Sequence, residues 1–206
     1  MQQGKQIDFW ELLPHKGLGP IRFSMDKSEV QCYYKEFGTM ILQKDESIEQ
    51  KKKDLEDTFK QFSEFFSEED LKIAMEGLED VGGELGDLVT EYTSSGISLQ
   101  YKADRLTEIF ADDRAKQLHF QGIPIFSDDP TKLLNSMCKV FEENPVIKDK
   151  ELIFRNNNIY LFNFVKEDSI GNCVAGDQQN RTIMWRDSPR PLSVDLAEYR
   201  HVKLPA

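Results

Sequence analysis

Two pairs of adjacent carboxylates, Asp112-Asp113 and Asp128-Asp129, and three histidines, His15, His119 and His201, are the residues whose types suit proton transfer or metal binding. Both pairs fall near the ends of strand-like segments, where loops expose functional groups. Catalysis needs such groups placed to act together. The histidines share no metal-ligand spacing with one another or with Cys32, Cys138 and Cys173. The cysteines are odd in number and far apart, which fits neither a disulfide framework nor a zinc site. Cys32 and Cys138 sit beside large apolar neighbours on helix-like segments and are expected to be buried. His119 alternates with Leu118 and Phe120 and is expected on the polar side of a strand. Asp128 and Asp129 precede Pro130, so they are expected to cap a helix: Pro suits a first turn and carboxylates suit its positive end. There is no Gly-x-Ser-x-Gly elbow and no phosphate loop, and Gly17 and Gly19 lack the third glycine and the preceding strand of a dinucleotide site. No catalytic residue, cofactor or metal ligand is assigned, and the chain is expected not to be an enzyme. The alternative is an enzyme of unrecognised type with a cleft built from Asp112, Asp113, Asp128, Asp129 and His119.

The elements that would carry these residues can be read from pattern. The run Gly19-Pro20-Ile21-Arg22-Phe23-Ser24-Met25-Asp26 returns 103 residues later as Gly122-Ile123-Pro124-Ile125-Phe126-Ser127-Asp128-Asp129. Each copy is an apolar run opened by glycine, then Ser and Asp ahead of a helix-like segment, 27–37 and 130–141. In the first of these, Val30, Tyr33, Tyr34 and Phe37 predict one amphipathic helix ended by Gly38. Residues 47–66 repeat apolar side chains at Ile48, Leu55, Phe59, Phe62 and Phe66, one helical stripe. Ser67-Glu68-Glu69-Asp70 predicts a second helix start, with a stripe of Leu71, Ile73, Ala74, Leu78 and Val81 that Gly82-Gly83 should break. Hairpins are expected about Ala103-Asp104 and about 155–158, and a strand at 182–185. The expected fold is α+β: two related strand-helix-antiparallel-sheet halves, 1–116 and 117–206, the first carrying an acidic helical hairpin at about 46–91, all in one compact unit.

At 206 residues and 39% hydrophobic, the chain can bury a proper core. Its net charge of −11 is uneven: residues 46–91 hold fifteen Asp and Glu against five Lys. Such a field repels nucleic acid and anionic membrane and favours basic partners. Basic residues are scattered, and Arg181, Arg186 and Arg190 near Trp185 form only a small local cluster, so no nucleic-acid partner is expected. The first twenty residues lack a cationic start followed by an apolar run, and no window nears the roughly 18 apolar residues of a membrane span, so the expected compartment is the cytoplasm.

The segment Lys16-Gly17-Leu18-Gly19-Pro20-Ile21-Arg22-Phe23-Ser24-Met25-Asp26-Lys27-Ser28-Glu29-Val30 resembles an opening shared by many small bacterial proteins. These include the small outer-membrane assembly lipoproteins, from which this chain departs by its acidic insert and by lacking a signal and lipidated Cys near its start. They also include cytoplasmic proteins that look like immunity proteins of contact-dependent or polymorphic toxin systems. The latter resemblance implies a non-enzymatic inhibitor that blocks the active site of a cognate basic toxin domain, such as a nuclease. The residues expected to grip such a partner are Glu64, Glu68, Glu69, Asp70, Glu76, Glu79 and Asp80. Phe65 and Phe66 are expected to pack in the core; either would be an apolar anchor if it pointed outward. The alternative non-enzymatic reading is a structural or assembly module binding other proteins.

Overall fold

The computed structural model describes residues 7–85, 88–167, 173–177, 179–190 and 198–202, and of 79–85, 167 and 173 the backbone alone. The chain enters through three two-residue strands, β1 (Leu12–Leu13), β2 (Gly17–Leu18) and β3 (Ile21–Arg22), paired antiparallel in that order. The glycines of this loop are steric necessities. A Cβ on Gly17 (φ 138°) would lie 2.2 Å from the Ile21 carbonyl oxygen, and one on Gly19 (φ 51°) 2.5 Å from that of Phe9. The helix expected next forms in two pieces, α1 (Lys27–Gln31) and α2 (Tyr34–Phe37). A turn at residues 32–33 separates them, and Val30 and Phe37 are both fully buried. The Asp26 amide donates to the Glu29 carboxylate at 3.0 Å ahead of α1, and Gly38 at φ 88° ends α2.

Strand β4 (Met40–Asp45) leads into α3 (Ile48–Gln61) and α4 (Glu68–Leu85), and the chain returns in β5 (Leu88–Thr93), antiparallel to β4. The expected break at Gly82-Gly83 is absent: α4 continues to Leu85. Glycine costs a helix only about 1 kcal/mol each relative to alanine, which does not forbid its closing turns. Strands β6 (Ile97–Lys102) and β7 (Arg105–Asp112) form the expected hairpin, with Ala103 and Asp104 both at positive φ. Next come a small hairpin, β8 (His119–Phe120) and β9 (Ile123–Pro124), and helix α5 (Thr131–Phe141). Then follow β10 (Val146–Lys148), β11 (Glu151–Phe154) and β12 (Ile159–Phe162), the last two joined by the expected turn with Asn158 at φ 52°. A side ribbon of β13 (Val165–Glu167) and β14 (Cys173–Ala175) precedes β15 (Thr182–Arg186) and β16 (Arg200–His201).

Nine of these strands make one antiparallel sheet, ordered β16-β10-β11-β12-β15-β7-β6-β5-β4. The fold is α+β. Four consecutive sheet strands, β4 to β7, follow α1 and α2; β10, β11, β12 and β15 follow α5; and β7 pairs β15 at the centre. Alternation sends Leu99, Tyr101, Ile109, Leu161, Ile183 and Trp185 to one face, where they are fully buried with Leu18, Phe37, Leu133 and Phe164. The Trp185 indole donates to the Gly17 carbonyl at 2.9 Å, pinning the glycine loop to the middle of the sheet. The other face presents, in register, Ser98, Phe110, Met184, Tyr160, Ile153 and Val146. Tyr199, after β15, packs on the second-half part of that face. No helix among the described residues is long and apolar enough to cross a membrane.

Candidate functional site

Helices α3 and α4 form an appendage. Its inner seam, Ile48, Leu55 and Phe59 from α3 with Leu71, Ala74 and Leu78 from α4, is only half-buried, and no described residue between 47 and 78 is buried. Two helices can shield only one side of each other's apolar stripe. Phe62, Phe66 and Ile73, assigned by periodicity to those stripes, are therefore exposed, and Phe65 at the tip is 78% exposed. The expectation of core packing for Phe65 and Phe66 is corrected accordingly: no third element among the described residues covers them. Phe66 finds partial cover against Phe59, with ring centroids 4.9 Å apart.

The carboxylates expected to meet a partner surround that tip. Glu64 lies in the turn between the helices, Glu68, Glu69 and Asp70 in the first turn of α4, and Glu76 farther along it, all exposed. Glu79 and Asp80 continue α4, and their side chains lie outside the described residues. Asp70 is committed to the turn: its carboxylate accepts from the Ser67 hydroxyl at 2.7 Å and the Ser67 amide at 2.8 Å. Those two bonds, the hydroxyl's first, hold its carboxyl below the ordinary range. Glu56 and Asp57 share Lys60. Glu64, Glu68, Glu69 and Glu76 have no ion-pair partner among the described residues. The charges of Glu64, Glu68 and Glu69 suit the positive end of α4 and leave a negative rim about three phenylalanines; Glu76 extends the charge along the helix.

Glu91, counted with the acidic segment, is not on the hairpin. It sits in β5 with its side chain fully buried, 2.9 Å from Lys27 Nζ. The Tyr34 hydroxyl donates to it, the Gln31 amide reaches it at 3.5 Å, and the Tyr101 hydroxyl lies 3.0 Å from that of Tyr34. Burial first, and then the bond to Glu91, pushes the Tyr34 phenol far above its ordinary value; burial does the same to Tyr101. Both stay protonated at neutral pH and serve as donors. The cluster latches α1 and α2 to the sheet.

Of the residues of the alternative carboxylate cleft, Asp112, Asp129 and His119 are engaged separately. Asp112 is forked by Arg114, with Nε at 2.9 Å and Nη2 at 2.7 Å, and is held low although partial burial opposes it. Asp129, one residue ahead of the N-cap Pro130, accepts from the Thr131 amide at 2.8 Å and so takes the first free amide of α5; of the cap expected from Asp128 and Asp129, this is the part the contacts show. His119 Nε2 lies 3.0 Å from Asp8, and its Nδ1 is buried without a hydrogen bond. None of Asp112, Asp113, Asp128, Asp129 and His119 lines the cavities of about 520, 510, 320 and 310 Å³ found among the described residues. Among the described residues no three His, Cys, Asp or Glu side chains are grouped to hold a metal. Cys32 is exposed, correcting its expected burial, because it sits in the turn between α1 and α2; Cys138 is half-buried. Of the small basic cluster, Arg181 stands apart, 2% exposed and donating to the Ser127 carbonyl, while Arg186 pairs with Glu108 across β15 and β7 and shares a cavity with Arg190. No family model, curated protein or solved structure matches the chain.

Proposed function

We propose that this chain is a non-enzymatic inhibitor that binds a basic protein through the acidic helical hairpin, in the manner of an immunity protein blocking the active site of a cationic toxin domain in the cytoplasm. The observation that carries the reading is Phe65, 78% exposed at a tip ringed by Glu64, Glu68 and Glu69. Apolar anchors supply most of the binding energy of an interface, and a rim of charge supplies encounter rate and discrimination. The hairpin joins both on an element whose described side chains contribute nothing to the core. The arrangement of helix followed by antiparallel sheet strands in each half, four in the first and five in the second counting the edge strand β16, with the two sets meeting at β7 and β15, supports reading the halves as related and the hairpin as an addition to the first.

The experiment is capture from the source cell with the parent chain and with a Glu64→Gln/Glu68→Gln/Glu69→Gln/Glu76→Gln variant, followed by stopped-flow association with the purified partner. The parent should capture a basic protein, inhibit its activity, and associate at a rate that falls steeply with salt. The variant should associate roughly tenfold more slowly at low salt, with a flattened salt dependence. Phe65→Ala should speed dissociation with little change in association. Equal rates for all three proteins, or a partner whose activity survives saturation, would remove the hairpin from the mechanism.

A further inference from the structure

The outer face of the sheet holds a cavity of about 520 Å³ between β5, β6, β7 and β15 and the segment that follows β15. Its volume is that of a metabolite site. Lys102, Arg186 and Arg190 line it, against Glu108 and Asp187, with Leu88 and Met184 as apolar wall. Arg186 and Arg190 thus bring two guanidinium groups to one cavity of a chain of net charge −11. The Glu108 and Arg186 side chains are 17% and 14% exposed, so this pair is largely removed from water.

The pairing is incomplete. Arg186 Nε lies 3.2 Å from a Glu108 oxygen, yet it is a buried nitrogen without a well-aligned hydrogen bond. The two η nitrogens have no partner among the described residues. A guanidinium carries five N–H donors in a planar fork suited to two oxygens of one anion, and here the fork edge is left for something else. Arg190 stands by with its Nη1 3.8 Å from Glu151, too far to satisfy it. Sulfates or phosphates alone would use only the cations; Leu88 and Met184 add a surface that rewards an apolar body.

We infer that this cavity binds a small organic anion, its carboxylate or phosphate held by the fork of Arg186 with Arg190 and Lys102 beside it, and its apolar body against Met184 and Leu88. This site is separate from the hairpin tip and does not depend on the protein-binding role.

The test is titration of the full chain with phenyl phosphate, phenylacetate and inorganic phosphate, followed by calorimetry and amide chemical shifts. At least one aromatic probe should bind with a dissociation constant below about 10 mM and shift the amides of Leu88, Met184 and Arg186, and inorganic phosphate should bind about tenfold more weakly. Which aromatic probe binds better tells phosphate from carboxylate. Arg186→Gln should weaken the better probe about tenfold, and the exposed Arg190→Gln about threefold. Because Arg186→Gln strands Glu108, the double variant Arg186→Gln/Glu108→Gln is measured too and should show the same loss while melting cooperatively. The inference is overturned if no probe shifts these amides, if inorganic phosphate binds as tightly as the organic anions, or if the Arg186 and Arg190 variants bind like the parent.

Discussion

Lys27 Nζ lies 2.9 Å from the Glu91 carboxylate, whose side chain has no contact with solvent. The pair joins the first turn of α1 to the middle of β5 across the whole helical hairpin. Glu91 also takes the Tyr34 hydroxyl, and the Lys27 ammonium stands 5.7 Å over the Tyr101 ring. A carboxylate buried with this many donors is stable where it is, but it depends on all of them.

Lys27→Met should therefore destabilise the fold by about 3 kcal/mol, the order of cost of leaving one member of a buried pair uncompensated. Adding Glu91→Gln should recover most of that loss, because a neutral amide still accepts from Tyr34. Urea unfolding of the two single variants and the double variant measures both terms. A Lys27→Met protein within about 0.5 kcal/mol of the parent would show that the tyrosines alone support the charge.

Burial pushes the Glu108 carboxyl above its ordinary value, against the pull of Arg186 and then Arg190. A carboxyl raised in the folded state binds its proton more tightly there than in the unfolded chain. Above the unfolded value of about 4.3 the folded state thus holds more protons, and stability falls as pH rises through the folded value. Glu108→Gln removes that titration. The variant should be more stable than the parent at neutral pH, and its advantage should shrink as pH falls toward about 4.3. Urea midpoints across that range decide it; a variant less stable at neutral pH would mean that the ion pair with Arg186 outweighs the burial.

How much of this was legible in the sequence differs by element. The hairpins about Ala103-Asp104 and Asn158 and the cap at Asp129 were readable because they rest on local backbone chemistry: positive φ at turns and a carboxylate before a helix. The exposed tip carboxylates followed from charge and helical period. Strands β4 and β5 were hidden in and beside the acidic segment. Leu88-Val89-Thr90-Glu91-Tyr92-Thr93 has the β-branched and aromatic composition of a strand, but net charge drew Glu91 to the surface in a reading that could not see Lys27 waiting across the fold. Glu108 and Arg186 were missed for the same reason. They meet only because β7 and β15, far apart in the chain, are neighbours in the sheet. Phe65 and Phe66 failed differently: helical period identifies an apolar stripe but not whether anything covers it.

The hairpin's two ends are already closed without it. Asp45 stands opposite Val89, and the Glu46 amide donates to the Leu88 carbonyl at 2.8 Å, one more rung on the β4 and β5 ladder. Removing residues 47–87 and joining Glu46 to Leu88 through Asn-Gly should therefore produce an ordinary two-residue β-hairpin. No described side chain between 47 and 78 is buried, so the excision takes little from the core, and it shortens the loop that folding must close. The truncated protein should melt cooperatively within about 5 °C of the parent, with the amide shifts of β6, β7 and β15 retained and capture of the basic partner lost. If it fails to fold, α3 and α4 belong to the structural body; if it folds and still captures the partner, the binding surface lies on the sheet and not on the hairpin.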